Sequence, residues 1–344
     1  MVLDDAAQPP GIALVTAVTV VLCSHNPRPD YLAATIGGLN AQTLPTECWE
    51  LLVVDNASAP GRAPDVDLSW HPVARVIRED ALGLTPARLR GIREAQAGLL
   101  VFVDDDNVLD PDFLVQALAL AEANPHLGAW SGRTRPRFDA PPPEWTRRYW
   151  GNLVIRDLDR DVWSNLPRLA ETMPCGAGLC VRRAVAQHYL ALHEAGGRRF
   201  VLDRAGDSLV SGGDNDLAAC ACDVGLGVGL FRSLSLEHLI PPERLTEGYL
   251  ARLAEGIEYS SVLLDAERGR VPAAPSALRR AATWLQPLRH RGPHRTIQRA
   301  VLRGRTRARR VLSAQSNPVG SVIGRSARFE TVLPVPGGVT AARP

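Results

Sequence analysis

Three consecutive aspartates, Asp104 to Asp106, directly follow the apolar run 99–103. Ionised carboxylates cannot stay unpaired in a dry core, so this pattern predicts a buried strand that ends at an edge of a sheet. If the strand continues through the acids, Asp104 and Asp106 share one face while Asp105 points elsewhere. Carboxylate oxygens are the ligands that Mg²⁺ and Mn²⁺ prefer. The stretch therefore predicts a divalent-cation site, with a solvated acidic turn as the alternative.

The same design occurs twice upstream of the three aspartates. The apolar run 19–22 stops at the polar stretch 23–26, and the run 50–54 ends on Asp55. A further strand is predicted over 73–77, and helical patterns begin near Asp30, Thr85 and Asp112. Alternating strands and helices predict an α/β fold with a mostly parallel sheet flanked by helices. In such sheets ligands bind beyond the carboxyl ends of the strands, where these polar residues fall.

Composition and charge restrict the class of protein. With 45% hydrophobic and 22% charged residues, the 344-residue chain has ordinary globular composition. The apolar stretch 12–23 is too short to span a membrane, and the six cysteines lack metal-binding or disulfide-type spacing. These features favour a cytoplasmic protein with free thiols. Residues 279–310 hold 11 arginines and no acidic residue.

Glycine-rich stretches mark the second half of the chain. Residues 176–178 and 212–213 are small enough to allow close approach of a ligand or a neighbouring strand. The run 225–229 has glycines spaced somewhat like a dinucleotide fingerprint. It follows a predicted helix and precedes a strand, the reverse of what cradling a pyrophosphate requires. A nicotinamide-dependent dehydrogenase is therefore disfavoured.

Several of these segments, taken in order, match one known family. The segments are 19–26, 52–58, 83–91, 103–107, 176–178, 212–216 and 237–241. As a set they resemble the family 2 glycosyltransferases, which have the GT-A fold. The resemblance covers roughly residues 17–265, divided into a nucleotide-sugar half (17–125) and an acceptor half (126–265). Residues 1–16 are predicted to be a leader.

The resemblance implies an inverting transfer of a sugar from a nucleotide-diphosphate sugar to an acceptor hydroxyl, aided by Mg²⁺ or Mn²⁺. The acceptor would be a glycan or a lipid-linked glycan, in surface polysaccharide or glycolipid synthesis. The residues that would bind the nucleotide and diphosphate are Cys23, Ser24, His25, Asn26, Asp55, Arg88 and Asp105. The residues that would hold the metal are Asp104, Asp106 and His238.

The catalytic base is less clearly marked. Family members usually carry a Glu-Asp pair ahead of a helix, and this chain has Gly213 and Asp214. Asp214 is the predicted base, with Asp216 as its rival, although an aspartate here can simply cap the helix. Two other functions stay open: a catalytically degenerate sugar-binding protein and a sugar-phosphate nucleotidylyltransferase. The latter would need a glycine-rich basic loop after the first strand, which is absent from the sequence.

Residues 266–344 lie outside the resemblance and are predicted to form a basic extension, partly disordered or in short helices. Pro287 and Pro293 are expected to interrupt any longer helix. Short basic amphipathic pieces bind anionic lipid surfaces. The sequence thus predicts peripheral attachment of residues 279–310 to the inner face of a membrane. Nucleic-acid binding is disfavoured because no recognised module accompanies the charge.

Overall fold

The fold is described from a computed structural model of the chain. The structure describes residues 16–198, 200, 202–204, 206, 208–270 and 286–316. Almost all of the predicted leader and the predictions for 271–285 and 317–344 lie outside the described residues.

The predicted strands form the parallel half of one sheet. In the order β3-β2-β1-β4, the half-sheet consists of β1 (Val18–Ser24), β2 (Trp49–Asn56), β3 (Ala74–Glu79) and β4 (Leu99–Asp104). The register pairs Cys23 with Asp104 and Ser24 with Asp55. The polar residues that end these strands therefore lie side by side, as the sequence predicts.

The second half of the sheet is mixed. The order continues as β8-β6-β9-β5, with β7 also paired to β9. These strands are β5 (Asn107–Leu109), β6 (Leu127–Phe138), β7 (Val162–Ser164), β8 (Leu179–Arg182) and β9 (Gly227–Ile240). β8 runs antiparallel to β4, so the parallel order stops there. The pairing of Asn107 with His238 brings β9 beside the three aspartates.

Helices cover both faces of the sheet. The helices on the sheet are α1 (Pro29–Asn40), α2 (Leu84–Glu94), α3 (Phe113–Ala123), α4 (Arg183–Glu194) and α5 (Gly213–Asp223). The helices α6 (Glu247–Glu267) and α7 (Pro293–Ser316) pack mainly against each other. One buried cluster joins α2, α4 and α5 to the sheet, and a second joins α1 and α3 to the opposite face. Strands buried on both faces explain why the runs are apolar without alternation. The predicted α/β class is confirmed.

The C-terminal region differs from the prediction. Pro293 is the first residue of a 24-residue helix, α7. Proline is tolerated at that position because its missing N–H would have no partner there. The expectation of short pieces over 293–316 is therefore wrong. Gly304 of α7 lies against α6, since a Cβ there would meet the Glu255 carbonyl oxygen at 2.3 Å.

The predicted domain limit at residue 265 lies within α6, which ends at Glu267. Among the described residues, no helix is both long and apolar enough to cross a membrane.

Candidate active site

A cleft of about 290 Å³ opens at the carboxyl ends of β1, β2 and β4. Nine of the predicted site residues line it: Cys23, Ser24, His25, Arg88, Asp104, Asp105, Asp106, Asp214 and His238. Three charged residues that the sequence did not single out also line it: Asp203, Arg204 and Arg244. Residues from both predicted halves thus meet at one place.

The three aspartates do not continue the strand. β4 ends at Asp104, a turn follows, and β5 begins at Asn107. The expectation that Asp104 and Asp106 share a strand face therefore does not apply. Ser24 donates a hydrogen bond from its hydroxyl to Asp105 Oδ2 at 2.6 Å, which ties β1 to the turn. Burial, with the neighbouring Asp106 charge, raises the pKa of Asp105 to about 7.

Asp106 lies between two nitrogen groups. Its Oδ2 is 2.8 Å from Arg244 Nη1 and 3.4 Å from His238 Nε2. Burial by itself would raise the pKa of Asp106, but His238 and Arg244 together hold that pKa well below its usual range. His238 Nδ1 lies 2.9 Å from the Leu153 carbonyl oxygen, to which it donates a proton. Nε2 lies 3.1 Å from Arg244 Nη1 and can accept from it only when the imidazole is neutral.

This arrangement fits a divalent cation. A metal-binding histidine commonly donates its other ring N–H to a backbone carbonyl, which turns its lone pair toward the ion. His238 does this, and its Nε2 faces the Asp106 carboxylate. The guanidinium of Arg244 supplies positive charge to the same two atoms. We therefore regard Arg244 as a stand-in that marks where a cation would bind.

Asp104 is more distant from this pair. The ligand atoms of Asp104, Asp106 and His238 do not all lie within 4.8 Å of one another. No described residue hydrogen bonds the Asp104 carboxylate. Burial raises the pKa of Asp104, and Arg88 opposes that shift. Asp104 therefore remains available to a ligand in the cleft.

The predicted nucleotide-side residues form a linked group. His25 Nδ1 donates to the Asn56 carbonyl oxygen at 2.6 Å, and Asn26 Nδ2 donates to His25 Nε2 at 2.9 Å. Asp55 is 4% exposed and accepts from Arg78 Nη1 at 2.8 Å and from the Ser58 N–H at 3.2 Å. Among the described residues, Asn26 and Asp55 do not line the cleft. Burial raises the pKa of Cys23 to about 12, so its thiol is neutral.

The two candidates for the base occupy different environments. Asp214, in the first turn of α5, lines the cleft and accepts from the Gly176 N–H at 2.7 Å. Asp216 is 2% exposed and forms ion pairs with Arg198 at 2.9 Å and Arg268 at 3.2 Å. Of the two, Asp214 is the carboxylate that a substrate in the cleft can reach.

The residues missed by the sequence reasoning come from irregular segments. Asp203 and Arg204 precede α5 in a stretch without periodicity, and Arg244 lies in a short 3-10 helix after β9. Of these three residues, only Arg244 could have been proposed from the sequence, because it lies six residues after the predicted metal ligand His238. Asp203 lies 115 residues from its ion-pair partner Arg88.

A parallel half-sheet with an acidic turn at its carboxyl edge, joined to a mixed second half, defines the GT-A class of fold. Residues 19–189 match the family model described as Glycosyl transferase family 2. The chain belongs to this family.

Two solved structures are similar to the chain. The mannosyltransferase PcManGT from Pyrobaculum calidifontis, solved in complex with GDP-Man and Mn²⁺, is similar with a TM-score of 0.50 and 20% identity. That match covers 92% of this chain and 80% of the other. S. aureus TarS 1-349 in complex with UDP has a TM-score of 0.44 and 15% identity, over 87% of this chain and 92% of the other.

Among curated sequences, protein y4gI of Sinorhizobium fredii is 30% identical over 112 residues, which is 31% of this chain. The matched part spans 12% of the length of that relative.

Proposed function

We propose that the protein is an inverting, cation-assisted glycosyltransferase that moves a sugar from a nucleotide-diphosphate sugar to an acceptor hydroxyl. One observation carries the proposal. A single cleft contains two side chains suited to bind a divalent cation, Asp106 and His238, together with the accessible carboxylate of Asp214. The fold shared with a mannosyltransferase solved with GDP-Man and Mn²⁺ supports the choice of donor class.

The donor would lie along the edge formed by β1, β2 and β4. Ser24 holds Asp105 toward that edge, where its carboxylate would contact the ribose. The stretch 23–26 and Asp55 would frame the base, with Asp55 acting through the turn that it stabilises. Arg88, which lines the same cleft, would offset phosphate charge.

Asp106 and His238, with Asp104 nearby, would hold a Mg²⁺ or Mn²⁺ ion. Such an ion offsets the negative charge that grows on the departing diphosphate. Asp214 would take the proton from the acceptor hydroxyl as it attacks the anomeric carbon. The Gly176 N–H fixes the orientation of Oδ2, and the remaining lone pairs of the carboxylate can accept that proton.

The test is release of nucleoside diphosphate from a panel of nucleotide sugars with Mn²⁺ and candidate acceptors. We expect Asp214→Asn to lower the rate by roughly 10²- to 10⁴-fold and to leave nucleotide binding intact. Asp157→Asn is the matched control, because its side chain is 91% exposed.

Other outcomes separate the alternatives. Full activity in Asp214→Asn, with loss in Asp216→Asn, would move the base to Asp216. Donor binding without turnover would indicate a degenerate binding protein, and release of pyrophosphate would indicate a nucleotidylyltransferase.

We also propose that α7 contacts an anionic membrane surface, which would place the enzyme near a lipid-linked acceptor. Arg299, Arg307 and Arg310 are exposed on α7 and line a groove of about 820 Å³. Each arginine near an anionic surface contributes roughly 1 kcal/mol of attraction. Deleting the helix would strip α6 of its packing partner, so substitutions are the better test.

Flotation with vesicles containing anionic lipid should recover less of the triple variant Arg299→Gln, Arg307→Gln, Arg310→Gln than of the wild type. The matched control replaces three arginines elsewhere: Arg75, Arg93 and Arg147. Equal recovery of all three proteins would contradict the proposal.

A further inference from the structure

Gly213, immediately before Asp214, has no room for a side chain. Its φ lies outside the left-handed region, so the backbone there accepts other residues. A Cβ at this position would meet Asp203 Oδ2 at 2.3 Å and Asp203 Cγ at 2.7 Å. The carboxylate of Asp203, arriving from the segment before α5, therefore fills the volume in which a side chain at position 213 would lie.

Asp203 is paired with Arg88 inside the protein. Arg88 Nη1 donates to Asp203 Oδ2 at 2.7 Å, and the two side chains are 3% and 5% exposed. Thr85 donates a hydroxyl hydrogen bond to the same oxygen at 3.3 Å, and the Arg204 N–H donates to the other at 3.2 Å. The position of this carboxylate is thus fixed by α2 on one side and by its own backbone on the other.

Arg88 connects this carboxylate to Asp214. A Cβ built on Gly176 would meet Arg88 Nη2 at 2.9 Å and Asp214 Oδ2 at 3.4 Å, so both groups lie against the same glycine. Burial by itself would lower the pKa of Arg88, but Asp203, Asp214 and Asp104 together keep its pKa raised. If Asp203 were removed, the guanidinium would have Asp214 and Asp104 as its remaining acidic neighbours.

We propose that Asp203 supplies, from a distant segment, the carboxylate that position 213 lacks, and that it positions Asp214 for catalysis by holding Arg88 away from it. The inference rests on the proposed function, in which Asp214 takes the proton. Without Asp203, Arg88 moves onto the Asp214 carboxylate and occupies the oxygen that should accept that proton. The turnover rate then falls, and donor binding weakens to a lesser extent because Arg88 also leaves its place beside the diphosphate.

The test exchanges the two residues. The variants are Asp203→Gly, Gly213→Asp and the double variant, and only the double variant conserves the size and charge of the pair. We expect kcat to fall on the order of 10- to 100-fold in each single variant and to return to within a few-fold of wild type in the double variant. Donor KM should rise by less than kcat falls in each single variant, and it should recover together with kcat in the double variant. Asp203→Asn keeps the size of the side chain and should also lower kcat.

A wild-type kcat in Asp203→Asn overturns the inference. So does a double variant whose loss in kcat equals the product of the losses in the two single variants. Thermal unfolding of the same four proteins without substrate separates this failure from failure of the proposed function. If the wild type transfers no sugar, the proposed function fails. A Tm that falls in both singles and recovers in the double variant then still supports the placement of the carboxylate, and a Tm that does not recover overturns it.

Discussion

Replacing Arg88 by methionine should destabilise the protein in a strongly pH-dependent way. The substitution keeps much of the apolar stem and removes the charge from an ion pair whose members are 3% and 5% exposed and 2.7 Å apart. Breaking a buried pair on one side typically costs about 3–5 kcal/mol, because a buried charge loses its partner. Asp203 can reduce that cost by taking up a proton.

The sign of the pH effect follows from the pKa of Asp203. Burial raises this pKa from 3.8 to about 6 against the opposing effect of Arg88, so removing Arg88 raises it further. The stabilisation from a protonated Asp203 is complete below pH 3.8 and is lost as the pH rises through the folded-state pKa. Between pH 7 and 8.5 the contribution of Asp203 to the free energy of unfolding is nearly constant in the wild type. In Arg88→Met this contribution still falls by up to about 1.4 kcal/mol per pH unit.

Urea denaturation followed by circular dichroism at pH 6, 7 and 8.5, without metal or nucleotide, measures this difference. Arg90→Met is the matched control on the same helix, because its pair with Glu94 is partly exposed and worth at most about 1 kcal/mol. The double variant Arg88→Met, Asp203→Asn should lose the part of the added pH dependence that comes from Asp203. A destabilisation of Arg88→Met that is below 1 kcal/mol, or that is equal at pH 6 and pH 8.5, would refute the reasoning.

Three further predictions follow from specific contacts. Arg244→Ala removes the guanidinium that competes for Asp106, so calorimetry should show Mn²⁺ binding tightened about tenfold without nucleotide; weaker binding would mean that Arg244 supports the cation. Gly304→Ala places a methyl group against a carbonyl oxygen of α6 and should lower the unfolding free energy by about 1–3 kcal/mol. Gly248→Ala, where the new methyl group would come no closer than 3.9 Å to Arg252 Nη1, should raise it slightly. Thr19→Val should cost about 1–3 kcal/mol in urea denaturation, because the hydroxyl donates to a buried glutamate on β2 at 2.6 Å; a cost near zero would contradict this.

The edge of the sheet was predictable because it depends on local pattern and on one general rule. Apolar runs that stop at polar residues mark strand ends, and parallel strands bring those ends together. The observed register of Ser24 with Asp55, and of Cys23 with Asp104, follows from that rule. The rule predicts which strand ends lie next to each other, but it does not predict the direction in which each side chain points. It therefore failed at Asp106, where the strand had already ended.

The partners of the site residues were not predictable in the same way. Asp203 reaches Arg88 from a segment with no helical or strand period, and Arg244 reaches Asp106 from a short 3-10 helix. Such contacts depend on tertiary approach over more than 100 residues. For α7, the sequence shows Pro293 but does not show where the helix begins relative to it. A proline at the first helical residue and a proline that breaks a helix look alike until that start is known.

The proposed function requires that the cleft binds a nucleotide diphosphate together with a cation held at Asp106 and His238. Isothermal titration of UDP and of GDP into wild-type protein and into Asp106→Asn, each with Mn²⁺ and with EDTA, tests it most directly. We expect Mn²⁺ to strengthen binding of at least one nucleotide to the wild type by about tenfold or more, and we expect Asp106→Asn to lose this gain. Equal affinity with Mn²⁺ and with EDTA, or an undiminished gain in Asp106→Asn, would contradict it.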